Sequence, residues 1–209
     1  SVMDGGLDRG EYIYYMSLNY GSMEVFLADT TGKVNLLSGS QPQLDGLKLS
    51  ENGKKAAYLD TDANTGDTIL VEIELGKEKA ETVATNVQSF GYIGNTLIYY
   101  FDYTEGVGTL GAAGSKTTIA NASGVQFTED AVYYVADADA ATGNGELRAW
   151  DGKTETAIAK DVFAFQYKEN GKLVYIGKYD VNAGVGDLYY YDGKEARKLD
   201  TGITAIFIY

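Results

Sequence analysis

The sequence contains no cysteine and no histidine, and its only proline is Pro42. Without cysteine there are no disulfide bonds, no thiolate metal ligands and no thiol nucleophile. Without histidine there is no Ser-His-Asp triad, no histidine general base and no histidine metal ligand. No apolar run approaches the roughly 18 residues that a transmembrane helix requires. Membrane insertion and the commonest forms of nucleophilic and metal-dependent catalysis are therefore disfavoured.

Positive charge is also scarce. The chain has 17 Lys and Arg against 30 Asp and Glu, which gives a formal net charge of −13. Nucleic acids and anionic membrane surfaces bind Lys/Arg-rich patches, so this balance disfavours both as partners. The lack of thiols fits a secreted or cell-surface bacterial protein. Because the chain starts at Ser1 rather than Met, we expect it to be a monomeric domain of a longer protein.

Tyrosine and glycine are abundant, with 18 and 26 copies, and the tyrosines mark a repeat. One tyrosine lies in each of five apolar stretches, and the intervals between them are 43, 41, 35 and 41 residues. These anchors are Tyr15, Tyr58, Tyr99, Tyr134 and Tyr175. A period near 40 residues with four short strands in each unit is typical of a β-propeller blade.

The last unit shows the four strands, A to D, most clearly. Strand A is Phe163–Tyr167, strand B contains Tyr175, strand C is Asp187–Tyr191 and strand D is Ala196–Leu199. Glycine-containing turns separate A from B and C from D, and an Asp/Gly-rich loop joins B to C. Asn-Gly and Asp-Gly are strong signals for tight turns between strands. The sequence therefore predicts an all-β fold with four antiparallel strands per blade.

The two ends of the chain predict how the ring closes. The first unit begins at a B strand, Tyr12–Leu18, and the last unit is followed by an extra apolar strand, Thr204–Tyr209. If this strand supplies the missing inner strand, residues 1–209 form one five-bladed domain without unpaired inner edges. The alternative takes Ser1–Gly10 as a poor A strand and the chain as a fragment of a six- to eight-bladed propeller.

Residues 132–153 (VYYVADADAATGNGELRAWDGK) and 173–194 (LVYIGKYDVNAGVGDLYYYDGK) carry a family resemblance. They resemble bacterial extracellular propeller repeats of the low-density-lipoprotein-receptor-like type. More loosely they resemble TolB-like blades, whose turn and Tyr strand correspond to Glu169–Tyr175. The YWTD motif and a repeated Trp-Asp motif are absent. The resemblance implies a propeller in a secreted or surface protein and carries no catalytic residues.

In a propeller, the B–C loops and the D-to-A connections lie on one side, here called the loop face. The A–B and C–D turns lie on the other side, here called the turn face. Asp residues are concentrated on the predicted loop face, and two loop tyrosines accompany them. We predict a ligand-binding surface there, formed by Tyr103, Tyr179, Asp102, Asp137, Asp139, Asp180 and Asp187.

Several interpretations of these loops stay open. Asp, Asn and Gly satisfy local backbone groups in turns, which requires no ligand. Asp60, Asp62 and Asn64 place oxygen atoms at alternate positions, as calcium loops do, although no Glu stands at the twelfth position. Calcium is the one cofactor that the sequence suggests. A protein or carbohydrate partner is the third interpretation, with the tyrosines as stacking surfaces.

Catalysis has little support, because the predicted inner strands are apolar or small and contain no acidic residue. A glycosidase needs two carboxylates flanking the scissile bond, so it remains the third hypothesis. We expect a non-enzymatic binding or interaction module, because loops on a rigid scaffold commonly carry function. The second hypothesis is a structural spacer without a ligand of its own.

Overall fold

The computed structural model describes residues 12–19, 22–29, 34–37, 43–77 and 80–207, and these ranges contain β-strands and turns but no α-helix. Within them there is no helix with the length and apolar character to cross a membrane. The strands are β1 (Tyr12–Asn19), β2 (Ser22–Asp29), β3 (Val34–Leu37), β4 (Gln43–Leu49), β5 (Lys55–Thr61), β6 (Thr68–Glu74), β7 (Ala80–Thr85), β8 (Val87–Ile93), β9 (Thr96–Thr104), β10 (Val107–Ala112), β11 (Thr118–Phe127), β12 (Val132–Ala136), β13 (Gly145–Trp150), β14 (Glu155–Glu169), β15 (Lys172–Asp180), β16 (Val185–Tyr191) and β17 (Ala196–Ile203). The predicted all-β class is confirmed.

The chain divides into two compact units, unit 1 (Ser1–Asp102) and unit 2 (Tyr103–Tyr209). In unit 1, β4 to β7 form a four-stranded antiparallel sheet in sequence order. This is the arrangement A, B, C, D that the sequence predicts for the second repeat. β1 to β3 form a three-stranded sheet, and β8 pairs with β9.

In unit 2, β10 to β17 follow one another in antiparallel pairing. The sequence predicted separate D and A strands, such as Thr156–Ala159 and Phe163–Tyr167. The structure instead has one long strand, β14, whose first part pairs with β13 and whose second part pairs with β15. The backbone bends at Asp161, where φ is 55°, so no separate turn is needed. β11 is shared between two repeats in the same way.

The predicted ring closure is not confirmed. Thr204–Phe207 form no strand, and the last two residues lie outside the described part of the chain. Among the described residues, the sheet that contains β1 has three strands and β1 pairs with β2 alone. The number of blades therefore stays a prediction.

Three of the anchor tyrosines, Tyr58, Tyr134 and Tyr175, belong to the core as predicted, and Tyr99 is partly buried. Tyr58 is fully buried in the cluster of unit 1, which also contains Leu47 and Ile73. In unit 2, Tyr133 and Tyr134 follow each other along β12 and point to opposite sides, yet both are buried. β12 is thus buried on both sides.

Two glycines allow the C strands of unit 2 to approach the B strands closely. A Cβ atom on Gly145 would lie 2.4 Å from the Ala136 carbonyl oxygen, and one on Gly186 would lie 2.5 Å from the side chain of Ile176. No side chain fits at such distances. Each of these glycines stands two residues after a glycine with positive φ, so a Gly-x-Gly pair opens the C strand in both repeats.

We predict that Gly145→Ala lowers the free energy of unfolding by about 3 kcal/mol, because overpacking forces the strands apart. The control is Gly114→Ala, where φ is 76° and no atom lies within 4 Å of the added Cβ. That variant should lose only about 1 kcal/mol, from left-handed strain. Urea unfolding of both proteins measures the difference. Equal losses would contradict the close approach of β12 and β13.

Candidate functional site

Asn–Asp pairs join the D-to-A bends to the ends of the following B strands. Asn86 and Asp102 in unit 1, and Asn121 and Asp137 in unit 2, all have positive φ, between 49° and 55°. In both pairs the Asp N–H donates to the Asn carbonyl at 3.1 Å. The Asn side chain donates to Asp Oδ1 at 3.1 and 3.2 Å. Asp102 and Asp137, two of the predicted ligand residues, therefore each bind the bend of their own repeat.

Three B–C loops share one design, in Asp62–Gly66, Asp139–Gly143 and Asp180–Gly184. The Gly N–H donates to the Asp carbonyl at 2.7–2.8 Å in all three. The Asp Oδ1 accepts the N–H groups of the second and third residues that follow it, at 2.7–3.3 Å. A side chain that satisfies its own backbone in this way fixes the loop without help from a ligand.

The same hydrogen bonds keep carboxylates on the loop face ionised. The backbone N–H of Thr142, its hydroxyl and the N–H of Ala141 lower the pKa of Asp139 below its ordinary value. In Asp62 the backbone N–H groups of Asn64 and Thr65 lower the pKa in the same direction. Both groups are therefore negatively charged throughout the neutral and mildly acidic range.

Asp187 is engaged by two side chains of its own blade. Its Oδ2 lies 2.8 Å from Lys198 Nζ and accepts the hydroxyl of Tyr189 at 3.3 Å. The pKa of Asp187 is lowered, chiefly by the hydrogen bond from Lys198. Because the lysine offsets its charge, Asp187 contributes less to an acidic surface than the sequence suggested.

Two hydrogen bonds connect the last two B–C loops. The side-chain amide of Asn144 donates to the Tyr179 carbonyl at 2.9 Å and accepts the Tyr179 N–H at 3.1 Å. The Tyr179 ring stacks on Phe163, with centroids 3.9 Å apart and an interplanar angle of 8°. A Cβ on Gly143 would lie 3.0 Å from the Phe163 ring, so the glycine keeps the space beside the ring free. Loops from two repeats are thus held in one arrangement.

The two predicted tyrosines are in different situations. Because one face of the Tyr179 ring is covered by Phe163, that face is not available to a sugar or another ring. Tyr103 is 49% exposed.

The structure brings Tyr179, Asp139 and Asp180 together in adjacent loops. Sequence analysis missed Asn144 and Phe163. The spacing Asp-x-x-x-Gly recurs in three loops and could have indicated their shared design. No recurring pattern in the sequence marks Phe163.

The residues predicted to bind calcium have partners within the protein. Asp60 is 2% exposed, and its Oδ1 accepts the N–H of Thr61 at 2.8 Å. Asp62 caps its own loop, as described above. Among the described residues no group of three or more acidic side chains is arranged to hold a metal ion. Calcium binding at Asp60, Asp62 and Asn64 stays a prediction.

The turn face of unit 2 contains the same local chemistry. Asp151 Oδ1 accepts the N–H groups of Lys153 and Thr154 at 2.8 and 2.6 Å. Asp192 Oδ1 accepts those of the equivalent residues, Lys194 and Glu195, at 2.9 and 3.0 Å. Here a lysine follows each aspartate by two residues, so part of the negative charge is offset. Aspartates with one structural role thus occur on both faces and differ in their surroundings.

One further group of charged residues lies on the strands of the fourth repeat. Arg148 binds Glu146, with 2.6 Å from Nε to Oε2, and Glu155, with 2.6 Å from Nη1 to Oε1. Tyr134 donates its hydroxyl to the same oxygen of Glu155. Burial opposes ionisation of Glu155, but the bonds from Arg148 and Tyr134 outweigh it and lower the pKa. A general acid of a glycosidase needs a raised pKa, so this pair fits a structural ion-pair network.

The chain is similar in structure to several known proteins. It matches the β-propeller domain of the trilobed protease from Pyrococcus furiosus, which has an open velcro topology, with a TM-score of 0.56 and 14% identity over 91% of this chain and 68% of that one. It matches the acylaminoacyl peptidase of Pyrococcus horikoshii with a TM-score of 0.51 and 15% identity over 93% of this chain. The tricorn protease matches with a TM-score of 0.51 and 11% identity over 96% of this chain.

These matches identify the fold and nothing finer. The chain spans only 38% of the acylaminoacyl peptidase and 26% of the tricorn protease. No family model matches the sequence, and no curated protein matches it. The resemblance to low-density-lipoprotein-receptor-like repeats is therefore not confirmed. The antiparallel sheets, whose strands pair in sequence order, and the likeness to a propeller domain support a β-propeller fold.

Proposed function

We propose that the chain is a non-catalytic binding module whose loop face contacts a positively charged partner. The observation that carries this proposal is that backbone hydrogen bonds hold the loop carboxylates in fixed positions. Asp139 and Asp180 are fixed by their own backbones, so they present charge at defined positions before any partner arrives. Preorganised groups bind at a lower entropic cost than mobile ones. A ligand is not needed to order these loops.

The charge of the loop face supports a basic protein surface over a carbohydrate. Fixed carboxylates attract Lys and Arg side chains and steer their approach. Carbohydrate binding commonly uses an open aromatic ring face, and one face of Tyr179 is covered by Phe163. The setting that we propose is a secreted or cell-surface bacterial protein of which this chain is one domain.

The five-bladed ring belongs to the same proposal. Gly202 has a φ of 72° and occupies the place in the repeat that Asn86, Asn121 and Asp161 occupy in earlier bends. Thr204–Tyr209 then have the apolar character of an A strand. We propose that this segment pairs with β1 and closes the ring. In the alternative, the chain is part of a larger propeller, and this segment would begin a further blade instead of pairing with β1.

We predict that Asp139→Asn combined with Asp180→Asn weakens binding of a short peptide of alternating Lys and Ser. Asparagine keeps the Oδ1 acceptor, so the loops keep their shape while two charges are lost. The affinity should fall about fivefold or more, from two exposed ion pairs, and isothermal titration at low salt measures it. Binding to the unchanged chain should persist from pH 7 to pH 5, because hydrogen bonds from Thr142 and Ala141 hold the pKa of Asp139 below its ordinary value.

The matched control is Asp151→Asn combined with Asp192→Asn, which makes the same change on the turn face. This variant should bind the peptide with the affinity of the unchanged chain. Added salt should weaken peptide binding to the unchanged chain and to this control variant, since exposed charges are screened. A spacer domain predicts no peptide binding at all. Equal losses from the two double variants would show that binding follows net charge and would remove the loop face as the site.

We predict that deletion of Thr204–Tyr209 lowers the free energy of unfolding by several kcal/mol, because an inner strand and its packing are removed. Thermal and urea unfolding of the shortened chain measure the loss. Substitution of the exposed Phe207, which is 77% accessible, by Ser provides a milder variant in case the shortened chain does not fold. A shortened chain of unchanged stability would rule out closure by this segment.

A further inference from the structure

Exposed apolar side chains are unevenly distributed in unit 2. Four of the large ones lie in or beside the loop-face connections: Tyr103, Val107, Phe163 and Val181. Two more, Leu199 and Phe207, lie on β17 and in the segment after it. Among the described residues, no large apolar side chain of comparable exposure occurs in the turns of the opposite face.

The firmest part of this surface lies between the last two repeats. Phe163 is 36% exposed although its ring is stacked on Tyr179. Val181 is 48% exposed and belongs to the loop that Tyr179 enters. Because Asn144 ties this loop to its neighbour, these apolar groups are held in place in solution. We name Phe163, Tyr179 and Val181 the apolar patch.

Acidic residues surround the apolar patch along the chain. Asp161 precedes Phe163 by two residues, Asp180 lies between Tyr179 and Val181, and Asp139 begins the loop that Asn144 ends. All three are exposed. An exposed apolar group flanked by charged residues is a feature of protein interaction surfaces. Two exposed lysines, Lys160 next to Asp161 and Lys178 next to Tyr179, offset part of the negative charge. An anionic membrane would be repelled by the acidic residues.

We infer that the apolar patch and its acidic rim dock a cationic amphipathic segment of a partner polypeptide, one that presents aliphatic side chains beside Lys or Arg. This inference rests on the proposed function and adds an apolar contact to it. The rim selects the charge of the partner, and the patch removes aliphatic surface from water, which contributes roughly 25 cal/mol for each Å² buried. A purely polar cation would gain only the first of these two contributions.

The experiment compares two peptides of equal length and charge, one of Lys and Leu with an amphipathic pattern and one of Lys and Ser. Both are titrated into the chain and into Val181→Ser. We expect the Lys/Leu peptide to bind at least about tenfold tighter than the Lys/Ser peptide. Val181→Ser should weaken the Lys/Leu peptide about fivefold and leave the Lys/Ser peptide unchanged.

The matched control is Leu199→Ser. Leu199 is 51% exposed, which is close to Val181, but it lies on β17 rather than in a B–C loop. This variant should leave the affinity for both peptides unchanged. Unfolding in urea checks that both variants keep the stability of the parent chain, and NMR shift mapping with the Lys/Leu peptide should identify residues 139–144, 161–163 and 178–185.

The outcomes separate the two proposals. If both peptides bind with equal affinity and Asp139→Asn combined with Asp180→Asn lowers that affinity, the acidic contact of the proposed function stands. The proposed role of the apolar patch is then overturned. Equal effects of Val181→Ser and Leu199→Ser on the Lys/Leu peptide also overturn it. If neither peptide binds, the inference fails together with the proposed function.

Discussion

Burial of both sides of the central strands is the constraint on which the described sheets depend. β12 is buried along its whole length, so each of its side chains must fit a neighbour on one side or the other. Such a strand cannot alternate between apolar and polar residues, and it does not: Tyr133, Tyr134 and Val135 follow one another. The cluster in unit 2 shows the consequence, since residues of the last two repeats form one core.

Because the strand side chains pack in the core, the repeats differ from one another mainly in the connections between strands. There the chain uses a small set of local solutions more than once. Asn–Asp pairs fix two bends, and an aspartate that accepts the N–H groups of the residues after it occurs in three loops and two turns. The capping aspartates satisfy N–H groups that lie two and three residues away. The Asn–Asp pairs join residues that are 16 positions apart in the sequence. The loops are therefore rigid by their own chemistry.

The last bend departs from this pattern in a way that coincides with the apolar patch. Where the earlier repeats have Asn and Asp, the last has Asp161 and Lys178, both with positive φ. Lysine is an unfavourable residue in the left-handed region, whereas Asn and Asp are tolerated there. Backbone strain of this kind tends to accumulate at functional sites. The departure lies beside Phe163 and Tyr179, the stacked rings of the proposed docking surface.

The sequence by itself determined the class of fold, the order of strands within a repeat and the burial of Tyr58, Tyr134 and Tyr175. It could do so because these follow from local patterns: a period near 40 residues, Gly-based turns and continuous apolar strands. It also placed Asp139 and Asp180 in loops on one side. The family resemblance and the closure by Thr204–Tyr209 went beyond what such patterns can establish.

Only the tertiary structure decided what the loop residues do. The carboxylates of Asp102 and Asp137 could not be recognised as partners of Asn86 and Asn121 from spacing alone, because the pairing depends on two left-handed residues meeting across a bend. The stacking of Tyr179 on Phe163 joins residues from two different strands. A sequence lists which side chains are available, whereas their orientation follows from how the backbone of one repeat packs against the next.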